Sequence, residues 1–260
     1  MTADARTTIP APARDLVLDL RGVRKGYREG DAQRTVLDGA EMCLERGRIG
    51  ALVGRSGAGK STVLNLVSGI DRPDGGEVVV DGVNLGALSE RDRTLFRRRH
   101  IGFVFQFYNL VPTLTVEENV RVLLDLDRVP GAEAHERARA LLDAVGLADR
   151  AAAFPDRLSG GEQQRVAIAR SLAHDPALVL ADEPTGDLDA ETGLRVLDLL
   201  EELTRTRGKT LLMVTHDRST LGRADVVFTI AGGKISEASG ELEAGSGRVA
   251  EGVLSAEAHR

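Results

Sequence analysis

Residues 54 to 62 read GRSGAGKST: three glycines and a lysine in nine positions, between the apolar run IGALV (49–53) and a helix-forming stretch. Glycine in a structured element costs about 0.5–1 kcal/mol relative to alanine, so three in one short loop mean that the backbone itself is used there. Gly54, Gly59, Lys60 and Ser61 fit the pattern G-x-x-x-x-G-K-[ST] in strand–loop–helix context. Such a loop turns its N–H groups inward as an anion nest, and the dipole of the following helix adds positive potential at the same point. The stretch from Gly54 through Arg55, Ser56, Gly57, Ala58, Gly59, Lys60 and Ser61 to Thr62 is therefore expected to bind phosphates. Lys60 would face the β- and γ-phosphates, and the Ser61 hydroxyl would ligate Mg²⁺.

The rest of the chain fits an α/β domain. Besides IGALV, the runs IGFVF (101–105), ALVLA (177–181), LLMVT (211–215) and VVFTI (226–230) read as strands buried on both faces. Between them, Ala138, Leu141, Leu142 and Val145 follow helical spacing, as do Val196, Leu197, Leu200 and Leu203. The length of 260 residues is ample for a sizeable core.

Charge and aromatic content argue against a nucleic-acid surface, since the net charge is −6, aromatics make up 3%, and the longest basic cluster is Arg97, Arg98 and Arg99. The single cysteine, Cys43, is expected to be a small buried apolar residue in a reducing compartment. No apolar leader opens the chain and no run approaches the roughly 18 apolar residues that span a bilayer, so a cytoplasmic chain without direct membrane insertion is expected. Residues 1–14 read as a flexible extension, 15–235 as one catalytic unit, and 236–260, rich in Ser, Gly, Ala and Glu, as a flexible tail.

A phosphate loop alone does not choose between kinase, GTPase and ATPase; carboxylates narrow the choice. LVLADEP (178–184) ends an apolar strand in Asp182, which puts an acid at the C-terminal sheet edge where it can hold Mg²⁺. Glu183 follows at once and can face the attacking water as general base. Either acid alone would pass for a solvated strand terminus, but the pair after four apolar residues in a phosphate-loop chain would not.

LSGGEQQRVAIAR (158–170) opens a helix with Ser159, Gly160 and Gly161, and Ser159 with Glu162 forms a capping-box pattern. The two glycines leave the N–H groups of that helix end bare, a second phosphate-binding device. This stretch resembles the signature motif of ABC ATPases. The resemblance implies a P-loop ATPase with a mainly parallel sheet core, an N-terminal antiparallel β subdomain and a helical signature subdomain at about 107–172. It also implies a homodimer in which Ser159, Gly160 and Gly161 of one subunit close on the ATP held by the other's phosphate loop. Further positions match the family in order from about Leu16 to Ile235. Tyr27 is similar to the aromatic residue that stacks on adenine. Gln106 looks like the glutamine that reaches Mg²⁺ and the attacking water. GDLD (186–189) resembles the loop where subunits meet, with Asp189 its acid, and His216 looks like the histidine that contacts the γ-phosphate.

QFYNLVPTLTVEENV (106–120) together with LADEPTGDLD resembles the ATP-binding subunits of the macrolide-export, lipoprotein-release and cell-division type, although many of these carry Asn where this chain has Asp187. A separate membrane permease is the implied partner. The run around Phe107, Leu110, Val111 and Leu114 is its expected docking patch, or else part of the local helical core. Two other readings stay open at this point. A mechanotransmission ATPase that moves no substrate would carry the same motifs. A soluble ABC ATPase of DNA repair would insert a coiled coil where only 99 positions separate Lys60 from Ser159, and one of translation would need a second cassette.

Overall fold

The computed structural model describes residues 15–30, 32–215 and 218–238. The expected extension at 1–14, most of the expected tail (239–260) and His216 lie outside the described residues.

Two long strands come first, β1 (Leu16–Glu29) and β2 (Ala32–Glu45), paired antiparallel. Their apolar pattern is hard to read in sequence because the register shifts between Leu16 and Leu18 and again between Leu20 and Val23, which breaks strict alternation. β4 (Gly75–Val80) pairs with β1, and the short β5 (Val83–Asn84) with β4, giving an antiparallel sheet in the order β2-β1-β4-β5.

The five apolar runs form the other sheet: β3 (Ile49–Val53), β6 (Ile101–Val104), β7 (Leu178–Asp182), β8 (Thr210–Val214) and β9 (Val226–Ala231). With β10 (Lys234–Glu237) the order is β10-β9-β3-β8-β7-β6, parallel except for the β9–β10 pair. The ladder passes the expected boundary at Ile235: β10 reaches Glu237, and Ala238 N donates to Val227 O.

Successive side chains on a strand point to opposite faces, so a strand buried on both sides feeds two cores. Val179 and Ala181 of β7, and Leu211 and Met213 of β8, pack toward the helices α3 (Val116–Leu126), α4 (Gly131–Ala144), α5 (Gly160–Leu172) and α6 (Ala190–Thr206). Leu178, Leu180, Leu212 and Val214 pack the other way, against α1 (Lys60–Val67) and the antiparallel sheet. Both helical stripes read from the sequence are buried, Ala138, Leu141 and Leu142 on α4 and Val196, Leu197, Leu200 and Leu203 on α6. Each fully buried leucine contributes about 1.5–3 kcal/mol relative to exposure. α5 lies tightly on β6, since a Cβ at Gly102 would stand 2.2 Å from Ser171 O.

The basic run ends α2 (Glu90–His100), where cations complement the helix dipole. Arg98 and Arg99 pair with Asp127, at 2.6 and 3.6 Å, and Arg97 donates to Gly69 O, so all three make contacts within the fold. Cys43 departs from its expected burial: it sits half-buried on β2, on a groove edged by Asp19, Glu41 and Glu237, because its neighbours Met42 and Leu44 take the inward positions.

Candidate functional site

β3, β6 and β7 all end at one edge of the parallel sheet, where open α/β sheets bind ligands. β3 runs into the phosphate loop, β6 delivers Gln106 just beyond Val104, and β7 ends at Asp182 followed by Glu183; β8 lies between β3 and β7. Across the gap stands the antiparallel sheet. The result is a cavity of about 480 Å³ lined by loop residues Ser56, Gly57, Gly59, Lys60, Ser61 and Thr62, by Gln106, Asp182 and Glu183, and by Tyr27, Arg34 and Val36 from β1 and β2.

The three loop glycines have different causes. Gly54 is forced by close approach, since a Cβ there would meet Ile230 Cγ2 at 2.6 Å and its carbonyl oxygen at 2.7 Å. Gly57 and Gly59 adopt φ of 76° and 109°, the left-handed region that side chains rarely enter. Gly59 is also the N-cap of α1, so the free N–H groups of that helix face the cavity. Lys60 Nζ donates to Gly54 O (2.8 Å) and Arg55 O (3.1 Å), which folds the cation back over the loop. Gly54, Arg55 and Ala58 do not line the cavity. They brace the loop from behind, Ala58 by packing on the core and by donating from its N–H to Arg55 O.

Opposite Lys60, burial and the adjacent Glu183 push the Asp182 carboxyl above its ordinary range, and Lys60 partly offsets this. Glu183 adopts a φ of 47°, uncommon for a residue with a side chain. Its N–H donates to Val214 O and its carbonyl accepts from Gly186 N, so the strained residue is fixed at the start of a turn. The oxygen donors of Ser61, Gln106 and Asp182 are hard ligands suited to Mg²⁺ shared with phosphates. Tyr27 is held by its hydroxyl, which donates to Asp71 Oδ2, with Lys25 Nζ 5.1 Å from the ring centre. Burial raises its phenol pKa.

Ser159, Gly160, Gly161 and Asp189 lie away from this cavity. Ser159 caps α5 in a complete capping box, its hydroxyl accepting from Glu162 N while the Glu162 carboxylate accepts from Ser159 N. Those bonds hold the Glu162 carboxyl below its usual range. A Cβ at Gly160 would meet the Tyr108 hydroxyl at 2.7 Å, and one at Gly161 would meet Thr192 Cγ2 at 2.5 Å, so the turn from 107 to 109 and the start of α6 crowd this helix end. Asp189 is the N-cap of α6, accepting from Thr192 N, which lowers its pKa.

The apolar run after Gln106 divides. Leu110 packs on the core and Leu114 is half-buried, whereas Phe107 is 67% and Val111 38% exposed. Four residues beyond the sequence reading complete the site. Arg34 and Val36 line the cavity; Gln164, fully buried on α5, donates to Phe105 O and Pro184 O and so ties the capped helix to the strand ends that carry Gln106 and Glu183. Arg170 donates to Tyr108 O and Asn109 O, whose residues are both left-handed, and burial lowers its guanidinium pKa to about 10. Gln164 and Arg170 lie within the signature-like stretch 158–170, but their partners follow only from helix facing, and Arg34 reaches the cavity through strand pairing once the elements are placed.

A family profile described as ABC transporter matches residues 37–186. An uncharacterised ABC transporter ATP-binding protein of Mycobacterium tuberculosis is 53% identical over 222 residues, 85% of this chain and 90% of that protein. The lipoprotein-releasing system ATP-binding protein LolD of Pseudomonas syringae pv. tomato is 46% identical over 222 residues, covering 85% and 98%. The pyoverdine export ATP-binding/permease protein PvdT of the same strain is 44% identical over 220 residues, 84% of this chain but 33% of that longer protein. Among solved structures, the dimeric ATP-binding cassette MJ0796, in a post-hydrolysis state bound to ADP and Pi, superposes with a TM-score of 0.77 at 38% identity, covering 85% of this chain and 97% of that one.

Proposed function

The chain belongs to the ABC transporter family as an ATP-hydrolysing subunit, and from that premise we propose that it is the motor of a lipoprotein-release or export transporter whose permease is a separate chain. The observation that carries this reading is the single cavity in which the phosphate loop, Gln106, Asp182 and Glu183 meet. The chain covers 98% of LolD, and among the described residues no helix is long and apolar enough to cross a membrane. Both facts fit a cassette held at the inner membrane face by its permease. The names of the relatives, release and export, favour transport over force transmission without cargo.

In this reading the N–H groups of the loop and of α1 bind the phosphates, and Lys60 releases its carbonyl partners to meet the β- and γ-phosphates. Ser61, Asp182 and Gln106 hold Mg²⁺, which when bound neutralises phosphate charge. Glu183, fixed beyond the strand end, takes the proton of the attacking water, while Tyr27 carries the adenine. Ser159, Gly160 and Gly161 stand away from their own chain's cavity and serve the cavity of a second copy, with Asp189 and the turn at 186–189 beside that contact. Exposed Phe107 and Val111, next to Gln106, give the permease its foothold.

Lys60→Ala is expected to lose ATP binding in a fluorescent-nucleotide titration and to lose turnover with it. Normal affinity in that variant would move the phosphate site elsewhere.

A further inference from the structure

The cavity wall made by the antiparallel sheet carries a cation that the phosphate-loop motif leaves unexplained. In the β1–β2 ladder Tyr27 and Arg34 are register partners, so the two side chains stand on one face of the pair, about 4.5–5.5 Å apart at Cβ. Both line the cavity. Arg34 Nη2 lies 3.4 Å from Gly57 O, at the middle of the phosphate loop. Lys60 occupies the other side, bound to Gly54 O and Arg55 O and close enough to Asp182 to offset part of the rise in that acid's pKa. The two cations are therefore divided, Lys60 facing the acids and Arg34 beside the aromatic ring. Among the lining residues they balance the two carboxylates Asp182 and Glu183; without Arg34 the wall would carry excess negative charge against a polyanionic ligand.

We propose that Arg34 binds the α-phosphate of the nucleotide whose base lies on Tyr27. The assignment rests on the nucleotide reading of this cavity. A base on Tyr27 and a terminal phosphate at Lys60 leave the phosphate nearest the sugar on the Arg34 side. The planar guanidinium fork can meet two phosphate oxygens at once, which a lysine cannot. The Gly57 carbonyl holds the fork at the loop.

The test is equilibrium binding of ATP and of ADP, at low and high salt, to wild type, Arg34→Met, Arg34→Lys and Lys60→Ala, with the melting temperature of each nucleotide-free protein. Arg34→Met is expected to weaken ATP and ADP by the same factor, about tenfold or more, and to flatten the salt dependence. Arg34→Lys should recover part of the affinity, and the melting temperature should not move because Arg34 is exposed. Weakening of ATP alone would overturn the assignment by moving Arg34 to the terminal phosphate. Weakening accompanied by a fall in melting temperature would overturn it in favour of a loop brace through Gly57. Unchanged Arg34→Met binding with loss in Lys60→Ala would sink the Arg34 proposal alone, whereas normal binding in both variants would overturn the nucleotide reading of the cavity as well.

Discussion

Asp182 and Glu183 show how neighbouring carboxylates acquire different work. Asp182 closes β7 and is pressed by burial and by the adjacent charge; Glu183 steps into a left-handed conformation that turns its carboxyl into the same cavity from another direction. A raised folded pKa means that the folded chain holds a proton at Asp182 more tightly than the unfolded chain does, so ionisation there opposes folding at neutral pH and the penalty disappears as pH falls through the folded pKa. Asp182→Asn is therefore expected to raise the melting temperature of the nucleotide-free protein modestly at neutral pH, with the gain shrinking toward acid, while Mg²⁺-dependent nucleotide affinity falls. Equal melting curves for variant and wild type across that range would remove the burial penalty from the account. The phosphate loop and the acid pair were legible from spacing alone, because each packs its chemistry into consecutive positions. Arg34 was not, since it reaches the cavity only through its ladder partnership with Tyr27, seven residues away and across a turn. Nor did the motif separate loop residues that line the cavity from Gly54, Arg55 and Ala58, which brace it.

Elements carry the site by their ends. Three strands stop at one sheet edge, and two capped helices, α5 and α6, begin where the turns at 107–109 and 186–189 cross. Gly102 sets the distance between β6, which delivers Gln106, and α5, which begins at the signature. Gly102→Ala would drive a methyl group onto Ser171 O, a backbone atom that cannot rotate aside. Urea unfolding should show a loss of about 1–3 kcal/mol, the usual cost of overpacking; wild-type stability would mean that helix and strand slide freely past one another. The five buried strands and both helical stripes could be read from the sequence because they are short and periodic, and only their ends moved by a residue or so. β1 and β2 could not be drawn residue by residue, because their bulges scramble the period of two. The apolar run after Gln106 looked uniform in sequence, yet tertiary packing takes Leu110 inward and leaves Phe107 and Val111 outside. Leu110→Asp is thus expected to lower stability and basal hydrolysis together, whereas Phe107→Asp should leave both intact and cut permease binding in a co-purification from membranes. If Phe107→Asp co-purifies as the wild type does, Phe107 is no part of the proposed docking patch.

At the scale of the whole molecule, each described chain presents two incomplete halves: a cavity that gathers the phosphate loop and the acids, and a capped helix end that stands apart from it. Two copies would pair these halves twice, with nucleotide as the filling, and hydrolysis at Glu183 would part them. Bound ATP would hold the two copies together as a dimer, which sedimentation of Glu183→Gln with Mg²⁺ and ATP against the nucleotide-free sample reads out, alongside the wild-type ATPase rate. The expected result is a nucleotide-dependent shift from monomer to dimer in a variant that hydrolyses ATP far more slowly than wild type. A variant that binds ATP and stays monomeric would contradict the sandwich, and one that hydrolyses at the wild-type rate would take the general base away from Glu183.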